Sequence, residues 1–301
     1  MSDQKAAILH LLTTAPNASP FDVNMALDAG WDHCVPYTDI AAADVPGLTQ
    51  DAIFSRGPKG VRRTGLFLGG RDIHQAMDML DAACGAMVPP FEVSVLADPS
   101  GAFTTAAAMV ACAERMLRDR RDRDLTGART LVFGGTGPVG MTCAVLAAKA
   151  GAEVAIVSHQ GEAAAARAAE ACAERYGVHL GAADGSSDAA ILGLVPDTEV
   201  IFGAAAAGVQ VLSRRHLEAA SALAVACDVN AVPPEGIEGV AVMANGDPIA
   251  GSPAQAVGIG ALAVGNVKYR TQHALLRSMT EAEGPVYLAF DAAFAEARRH
   301  V

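Results

Sequence analysis

The stretch "LVFGGTGPVG" (residues 131–140) places an apolar run directly before glycines at Gly135, Gly137 and Gly140, spaced as G-x-G-x-x-G. The flanking runs are typical of a strand before the glycines ("RTLVFG"), then a helix ("GMTCAVLAAKAGAE") and a second strand ("AEVAIVS"). In such a turn the first glycine permits a tight bend, the second lets a pyrophosphate approach the backbone, and the third lets the helix pack closely. The context favours a dinucleotide-binding turn over the alternative, an ordinary strand–helix turn without a ligand.

The end of the second strand indicates which dinucleotide the turn would bind. An NAD site usually has an acidic residue there, which accepts hydrogen bonds from the ribose 2′-hydroxyl. This chain has Ser158-His159-Gln160, three residues that can donate hydrogen bonds and would not repel a 2′-phosphate. NADP is therefore favoured, with NAD as the alternative. The predicted cofactor-binding residues are Gly135, Thr136, Gly137, Pro138, Val139, Ser158, His159 and Gln160, with Asp228 and Asn230 from the end of a later strand.

Composition excludes several classes of partner and predicts a compartment. The chain has 301 residues, 51% of them hydrophobic, and a net charge of -11, which argues against nucleic acid or an acidic membrane as partner. The six cysteines are scattered without a C-x-x-C pair, so neither a disulfide framework nor a metal site is predicted. No apolar run has the length of a signal peptide or membrane span, which predicts a cytoplasmic protein.

Apolar runs alternate with helical patterns along the chain, which predicts an α/β protein with parallel sheets. Strands are predicted at 5–14, 64–70 and 91–98, and then at 129–134, 153–158, 199–203, 223–228 and 240–243. Helices are predicted at 21–30, 72–87 and 161–175, from residue 104 toward the charged segment 118–124, and in the tail after residue 265. We predict a domain at 1–124, completed by C-terminal helices in 268–301, and a Rossmann domain at 125–267.

Six blocks of the sequence resemble one enzyme family in the same order along nearly the whole chain. The chain resembles the NAD(P)-dependent methylene-tetrahydromethanopterin dehydrogenases of one-carbon metabolism in methylotrophic bacteria. The blocks are "SPFDVNMALDAGWDHCVPYTDI" (19–40), "IFSRGPKGVRRTGLFLGG" (53–70), "LADPSGAFTTAAA" (96–108), "VFGGTGPVG" (132–140), "CDVNAVPPEGIEG" (227–239) and "VGIGALAVGNVKYRTQ" (257–272).

The resemblance implies a Rossmann domain and a smaller α/β pterin-binding domain (1–124), with the active site in a cleft between them. It implies oxidation of methylene-tetrahydromethanopterin to the methenyl cation, with hydride transfer to NADP or NAD. Dual-specificity relatives have an acidic residue at the position of Gln160, and this departure also favours NADP. The resemblance suggests a homo-oligomer, such as a trimer.

The resemblance also assigns residues to the substrate side of the site. Thr105 and Lys268 match catalytic positions beside the nicotinamide and the pterin, although Lys268 could equally be a surface residue. Residues predicted to bind the pterin substrate are Asp22, Asn24, Arg56 and Asp98. From the sequence, Asp22 could instead cap a helix, and the cluster with Arg56 could be a solvated loop rather than a site for the carrier's acidic tail.

Two other functions remain open at this stage. The first is a dehydrogenase acting on methylene-tetrahydrofolate or on dihydromethanopterin, which would differ only in its pterin pocket. The second is a nucleotide-sensing protein that keeps the Rossmann domain without catalysis. The proposed hydride transfer itself depends mainly on positioning two ring systems, which fits a sequence without a Ser-His-Asp or metal constellation.

Overall fold

A computed structural model of the protein describes residues 5–301. Contacts between Cα atoms divide the chain into two compact units. The first unit comprises Met1–Thr104 and Tyr269–Glu296, and the second comprises Thr105–Lys268 and Ala297–Val301. Each unit is an α/β sandwich built on its own sheet.

The first unit has a parallel sheet flanked by helices. Its strands are β1 (Ile8–Leu12), β2 (His33–Tyr37), β3 (Thr64–Leu68), β4 (Ser94–Ala97) and β12 (Tyr287–Leu288). Within the described residues their order in the sheet is β12-β4-β3-β1-β2. Its helices are α1 (Pro20–Asp28), α2 (Val45–Phe54), α3 (Pro58–Val61), α4 (Ile73–Gly85) and most of α11 (Phe290–Ala297). The central strands β3 and β4 are buried throughout.

The second unit has a larger sheet with one antiparallel edge strand. Its strands are β5 (Arg129–Phe133), β6 (Glu153–Ser158), β7 (Gly181–Asp184), β8 (Val200–Gly203), β9 (Val225–Asp228), β10 (Asn245–Pro248) and β11 (Val257–Ile259). They lie in the order β10-β11-β9-β8-β5-β6-β7. Without the antiparallel β10, and read from the other edge, the order is β7-β6-β5-β8-β9-β11. If these six strands are numbered along the chain, this is the order 3-2-1-4-5-6 of dinucleotide-binding domains. Its helices are α6 (Pro138–Lys149), α7 (Glu162–Tyr176), α8 (Asp188–Leu194) and α9 (Arg214–Ala219).

Two long helices, α5 (Ala102–Arg121) and α10 (Ala261–Glu281), each run through a boundary between the units. The predicted domain boundary at residue 124 therefore differs from the observed division within α5. The C-terminal half of α5 packs with the second unit: Arg120 and Arg121 donate to the carbonyls of Gly246 and Ala254. Which ligand each unit binds stays a prediction.

The predicted α/β class is confirmed, and one predicted strand is wrong. Residues 240–243 form a turn, although Val240 is buried against Gly258. Strands β2, β7, β10, β11 and β12 were not predicted. All six cysteines are free thiols. Among residues 5–301, no helix is both long and apolar enough to cross a bilayer, and no cluster of three or more His, Cys, Asp or Glu is arranged to hold a metal ion.

Candidate active site

The glycine turn after β5 is held by close packing at its first two glycines. Gly134 has a φ of +71°, and a Cβ built there would lie 2.4 Å from the carbonyl oxygen of Ala204. A Cβ on Gly135 would lie 2.6 Å from the side chain of Ile156 on β6. The left-handed bend is therefore at Gly134, one residue before the glycine to which the sequence assigned it, and Gly135 is required by packing.

The third and fourth glycines of the turn differ in how much room surrounds them. A Cβ on Gly140 would lie 2.3 Å from the carbonyl oxygen of Gly134, so α6 packs directly on the turn. At Gly137 the nearest protein atom would be that same oxygen at 3.4 Å, an ordinary contact. Gly137 is the N-cap of α6, and Pro138 and Val139 follow in its first turn. First-turn amides lack partners within their own helix, so this open position suits a bound phosphate.

A cavity of about 620 Å³ opens at the carboxyl edge of the second sheet, beside the glycine turn. It contacts the segments that follow β5, β6, β7 and β8, the place where open α/β sheets bind ligands. Of the predicted cofactor residues, Thr136, Gly137 and His159 line it. The other lining residues are Phe133, Gly134, Val157, Gly185, Ser186, Ser187, Asp188, Ile191, Ala204, Ala205, Ala206, Val209, Gln210 and Val211.

Ser158, the last residue of β6, and the two residues that follow it have different surroundings. Ser158 is buried, and its hydroxyl oxygen accepts a hydrogen bond from the amide of Gln160 at 3.1 Å. His159 and Gln160 are exposed. Ser158 thus shapes the turn, while His159 and Gln160 present their side chains at the end of β6.

Asp228, at the end of β9, is buried and bound to the backbone of the following loop. Its Oδ1 accepts from the amide of Asn230 at 3.1 Å and its Oδ2 from the amide of Ile237 at 3.0 Å. Burial raises the pKa of this carboxyl above its ordinary value, and the amide donors oppose that rise. The carboxylate therefore organises the loop 229–237.

Asn230 ties this loop to the wall of the cavity. Its Oδ1 accepts from the amides of Gly208 and Val232, each at 3.0 Å, and its Nδ2 donates to the carbonyl of Pro234 at 2.8 Å. Asp228 and Asn230 were predicted to bind the cofactor, but neither is among the described residues that line the cavity. Their polar atoms hold backbone groups of the loop beside the cavity, and their predicted contact with the cofactor stays a prediction.

In the first unit, Asp22 lies at the carboxyl edge of the sheet, in the first turn of α1. Its amide donates to the hydroxyl of the N-cap Ser19 at 3.5 Å, so Ser19 rather than Asp22 is the cap. Gln272 from α10 is fully buried and donates its Nε2 to Asp22 Oδ1 at 2.8 Å. Asn24 is exposed two residues further along α1.

Asp98, after β4, is fully buried and caps the start of α5. Its Oδ1 accepts from the amides of Phe103 and Thr104 at 2.9 and 3.1 Å. Its Oδ2 accepts from the Thr104 hydroxyl at 2.6 Å. The carboxylate thus holds the first turn of α5, and its predicted contact with substrate stays a prediction.

Arg56 lies at the opposite edge of the first sheet from Asp22. Its guanidinium donates to the carbonyl of Ala6 at 2.9 Å, before β1, and to the hydroxyl of Thr64 at 3.0 Å, where β3 begins. It also donates to the carbonyl of Arg63 at 3.3 Å. Arg56 thus lies away from the carboxyl edge, where parallel sheets usually bind ligands, and its predicted role in substrate binding stays a prediction.

Thr105 and Lys268 are each half-buried on the long helices. Thr105 lies in the first turn of α5, directly after the residues that Asp98 holds. Lys268 lies in the second turn of α10, four residues before Gln272. Their predicted catalytic roles stay predictions.

Comparison with known proteins decides the family. A profile described as methylene-tetrahydromethanopterin dehydrogenase, N-terminal, matches residues 20–100. The chain is 48% identical over 288 residues to the NAD(P)-dependent methylenetetrahydromethanopterin dehydrogenase of Methylorubrum extorquens, covering 96% of each chain. The chain belongs to the methylene-tetrahydromethanopterin dehydrogenase family. It is also 31% identical to the bifunctional protein MdtA of the same organism, over 93% of this chain and 94% of that one.

Solved structures support the fold of this methylene-tetrahydromethanopterin dehydrogenase family member. An NAD-dependent malic enzyme from Thermotoga maritima matches with a TM-score of 0.57 at 12% identity, covering 97% of this chain and 84% of that one. Shikimate 5-dehydrogenase from Listeria monocytogenes matches with a TM-score of 0.54 at 13% identity, covering 96% and 95%. At such low identity the likeness shows a Rossmann-type dehydrogenase fold alone.

Sequence reasoning missed two parts of the site in this dehydrogenase family member. Gln272 closes the last quoted block of resemblance, but nothing in a lone glutamine indicated a partner 250 residues away. The turn Gly185–Asp188, which lines the cavity, was missed because β7 ("GAAD") has no β-branched or aromatic residue. The topology offered a signal, because each half of a dinucleotide-binding domain has three parallel strands and a third strand is therefore expected after β6.

Proposed function

We propose that the protein oxidises methylene-tetrahydromethanopterin to methenyl-tetrahydromethanopterin, with NADP or NAD as the hydride acceptor. The observation that carries the proposal is the glycine turn at the carboxyl edge of the second sheet, open at Gly137 beside a cavity of about 620 Å³. The full-length similarity to a dehydrogenase with this name supports the substrate.

The reaction makes modest demands on the protein's side chains. The substrate's methylene carbon lies between two nitrogens, loses a hydride with its bonding electron pair, and becomes a cation delocalised over those nitrogens. The nicotinamide, when bound, supplies the carbon that takes the hydride, so the reaction needs no proton transfer. The chain's residues therefore act by holding the rings and excluding water. We assign Thr105 and Lys268 to this positioning of the rings. We assign Asp22, whose carboxylate Gln272 holds in place, and Asn24 to binding of the pterin.

The turn after β6 supports NADP over NAD. It has no carboxylate, and His159 and Gln160 are exposed at the position where the ribose 2′ substituent would lie. Both side chains can donate hydrogen bonds to a phosphate.

Replacing Gln160 with aspartate is expected to shift specificity toward NAD. A carboxylate beside the 2′-phosphate repels it, and we expect the NADP-to-NAD ratio of kcat/KM to fall by about tenfold or more. The exposed Gln210→Asp, at the other side of the cavity, is the matched control. A ratio that stays constant in Gln160→Asp would remove this turn from the ribose site.

Replacing Lys268 with methionine is expected to weaken pterin binding at least as much as it slows turnover. A lysine ammonium close to the forming cation is unfavourable, so we assign it to a hydrogen bond with the pterin, worth about tenfold in affinity. Titration calorimetry and steady-state kinetics measure both effects. The exposed Arg277→Met on the same helix should change neither, and wild-type behaviour of Lys268→Met would contradict the assignment.

Absorbance of the reduced cofactor separates this function from the alternatives. Purified protein is mixed with NADP or NAD and, in turn, with methylene-tetrahydromethanopterin, methylene-tetrahydrofolate or dihydromethanopterin. The proposal requires the first carrier to give the highest kcat/KM. Turnover with none of them, alongside measurable nucleotide binding, would favour a nucleotide sensor.

The proposal also includes a cytoplasmic location, which cell fractionation tests. It further includes assembly into a homo-oligomer, such as a trimer, which sedimentation equilibrium tests.

A further inference from the structure

The cavity beside the glycine turn ends at a carboxylate that the proposed reaction does not use. Asp188 begins α8, directly after the turn that follows β7, and it lines the cavity. In the sheet order β5-β6-β7, a dinucleotide with its phosphates at α6 places its ribose at the end of β6. The base beyond that ribose then reaches the end of β7, where Asp188 lies.

The walls at this end of the cavity suit a flat base. Ile191 and Val211 line it with apolar surface, which can pack on the faces of a purine. Asp188 supplies an acceptor at the edge, with 74% of its side chain exposed. A carboxylate here cannot be a partner of the 2′-phosphate, which it would repel.

A buried histidine faces the same carboxylate. His216 is 2% exposed, and its Nδ1 accepts a hydrogen bond from the amide of Ser213 at 3.1 Å. In the neutral ring the proton is therefore on Nε2. Nε2 has no hydrogen-bond partner among residues 5–301, and it lies 3.5 Å from Asp188 Oδ1. That distance is long for a hydrogen bond, so His216 is in electrostatic contact with the carboxylate and leaves its oxygens able to accept from another donor.

We propose that Asp188 recognises the adenine base by accepting a hydrogen bond from its 6-amino group, and that His216 is a positioning residue that holds the carboxylate. This inference rests on the proposed nucleotide site and deepens it. The chemistry discriminates between purines, because hypoxanthine has an acceptor oxygen in place of the amino group. A site built to pair a donor leaves polar groups unpaired when the donor is missing.

Titration calorimetry with NADP and with its hypoxanthine analogue tests the inference. We expect wild-type protein to bind NADP more tightly than the analogue by about tenfold or more. Asp188→Asn should bring that ratio close to one, because an amide can donate to the 6-oxo group. His216→Phe should lower the same ratio, whereas a merely structural role would weaken both nucleotides equally.

The control is Asp197→Asn, an exposed carboxylate that pairs with Arg129 at the amino edge of the same sheet, and it should keep the wild-type ratio. Equal wild-type affinity for the two nucleotides, or an unchanged ratio in Asp188→Asn, would overturn this inference alone. An unchanged ratio in His216→Phe would overturn the positioning role. Failure of wild-type protein to bind either NADP or NAD would overturn the proposed function and this inference with it.

Discussion

Gly137→Val is expected to weaken NADP binding by roughly 100-fold or more, a loss of about 2.8 kcal/mol, while the protein remains folded. The added Cβ meets no protein atom closer than 3.4 Å, and the backbone at Gly137 has an extended conformation that valine adopts readily. The side chain would instead fill the space where the pyrophosphate approaches α6. Fluorescence titration with NADPH and thermal unfolding measure the two effects.

The neighbouring glycines provide the contrast for this experiment. A Cβ on Gly140 or Gly135 falls within 2.6 Å or less of protein atoms, so valine at either position should lower the unfolding temperature. Gly137→Ala should lie between wild type and Gly137→Val in affinity. NADPH affinity near the wild-type value in Gly137→Val would mean that the nucleotide does not bind at this turn.

Asp98→Ala is expected to lower the free energy of unfolding by about 3 kcal/mol or more and to reduce turnover. The substitution leaves two buried amides without their acceptor and takes from the Thr104 hydroxyl the nearer of its two acceptors, and unpaired buried donors are costly. The loss also frees the first turn of α5, where Thr105 lies. Urea unfolding and steady-state kinetics under stabilising conditions are the measurements.

Thr104→Val is the matched control, because it removes one hydroxyl and leaves both amide bonds to Asp98. We expect it to cost roughly 1 kcal/mol, with turnover less affected than in Asp98→Ala. If Asp98→Ala unfolded like wild type but lost pterin affinity, the carboxylate would have to contact substrate, as the sequence analysis had suggested.

The fold could be predicted where apolar periodicity coincides with sheet pairing. β5, α6 and β6 were predicted because the glycine turn marks where the first strand ends and where the helix that leads to the next strand begins. Residues 240–243 show the opposite case, since their apolar side chains pack against Gly258 without joining the sheet. The edge strand β2 was missed because it contains Pro36 and exposes most of its residues, so it has no apolar pattern.

The sequence predicts at which strand ends the candidate site residues lie, but not which groups their side chains contact. Asp98 and Asp228 lie at the ends of strands, as ligand-binding carboxylates do. Their oxygens nevertheless accept from amides of the first turn of α5 and of the loop after β9, whose course only the fold determines. Arg56 differs from these two residues. It precedes β3, and a residue before a parallel strand lies at the amino edge of the sheet, so the order of the elements already predicts on which edge Arg56 lies.

The interrupted first unit has a consequence for the order in which the protein matures. Residues 105–268 are synthesised before α10 is complete and before β12 is made. Until then Asp22 lacks Gln272, and the buried strand β4 has an unpaired edge where β12 will join it. On a nascent chain, the strands of the unit with the glycine turn are therefore all made first, and the sheet of the unit with Asp22 is finished only when β12 has been synthesised.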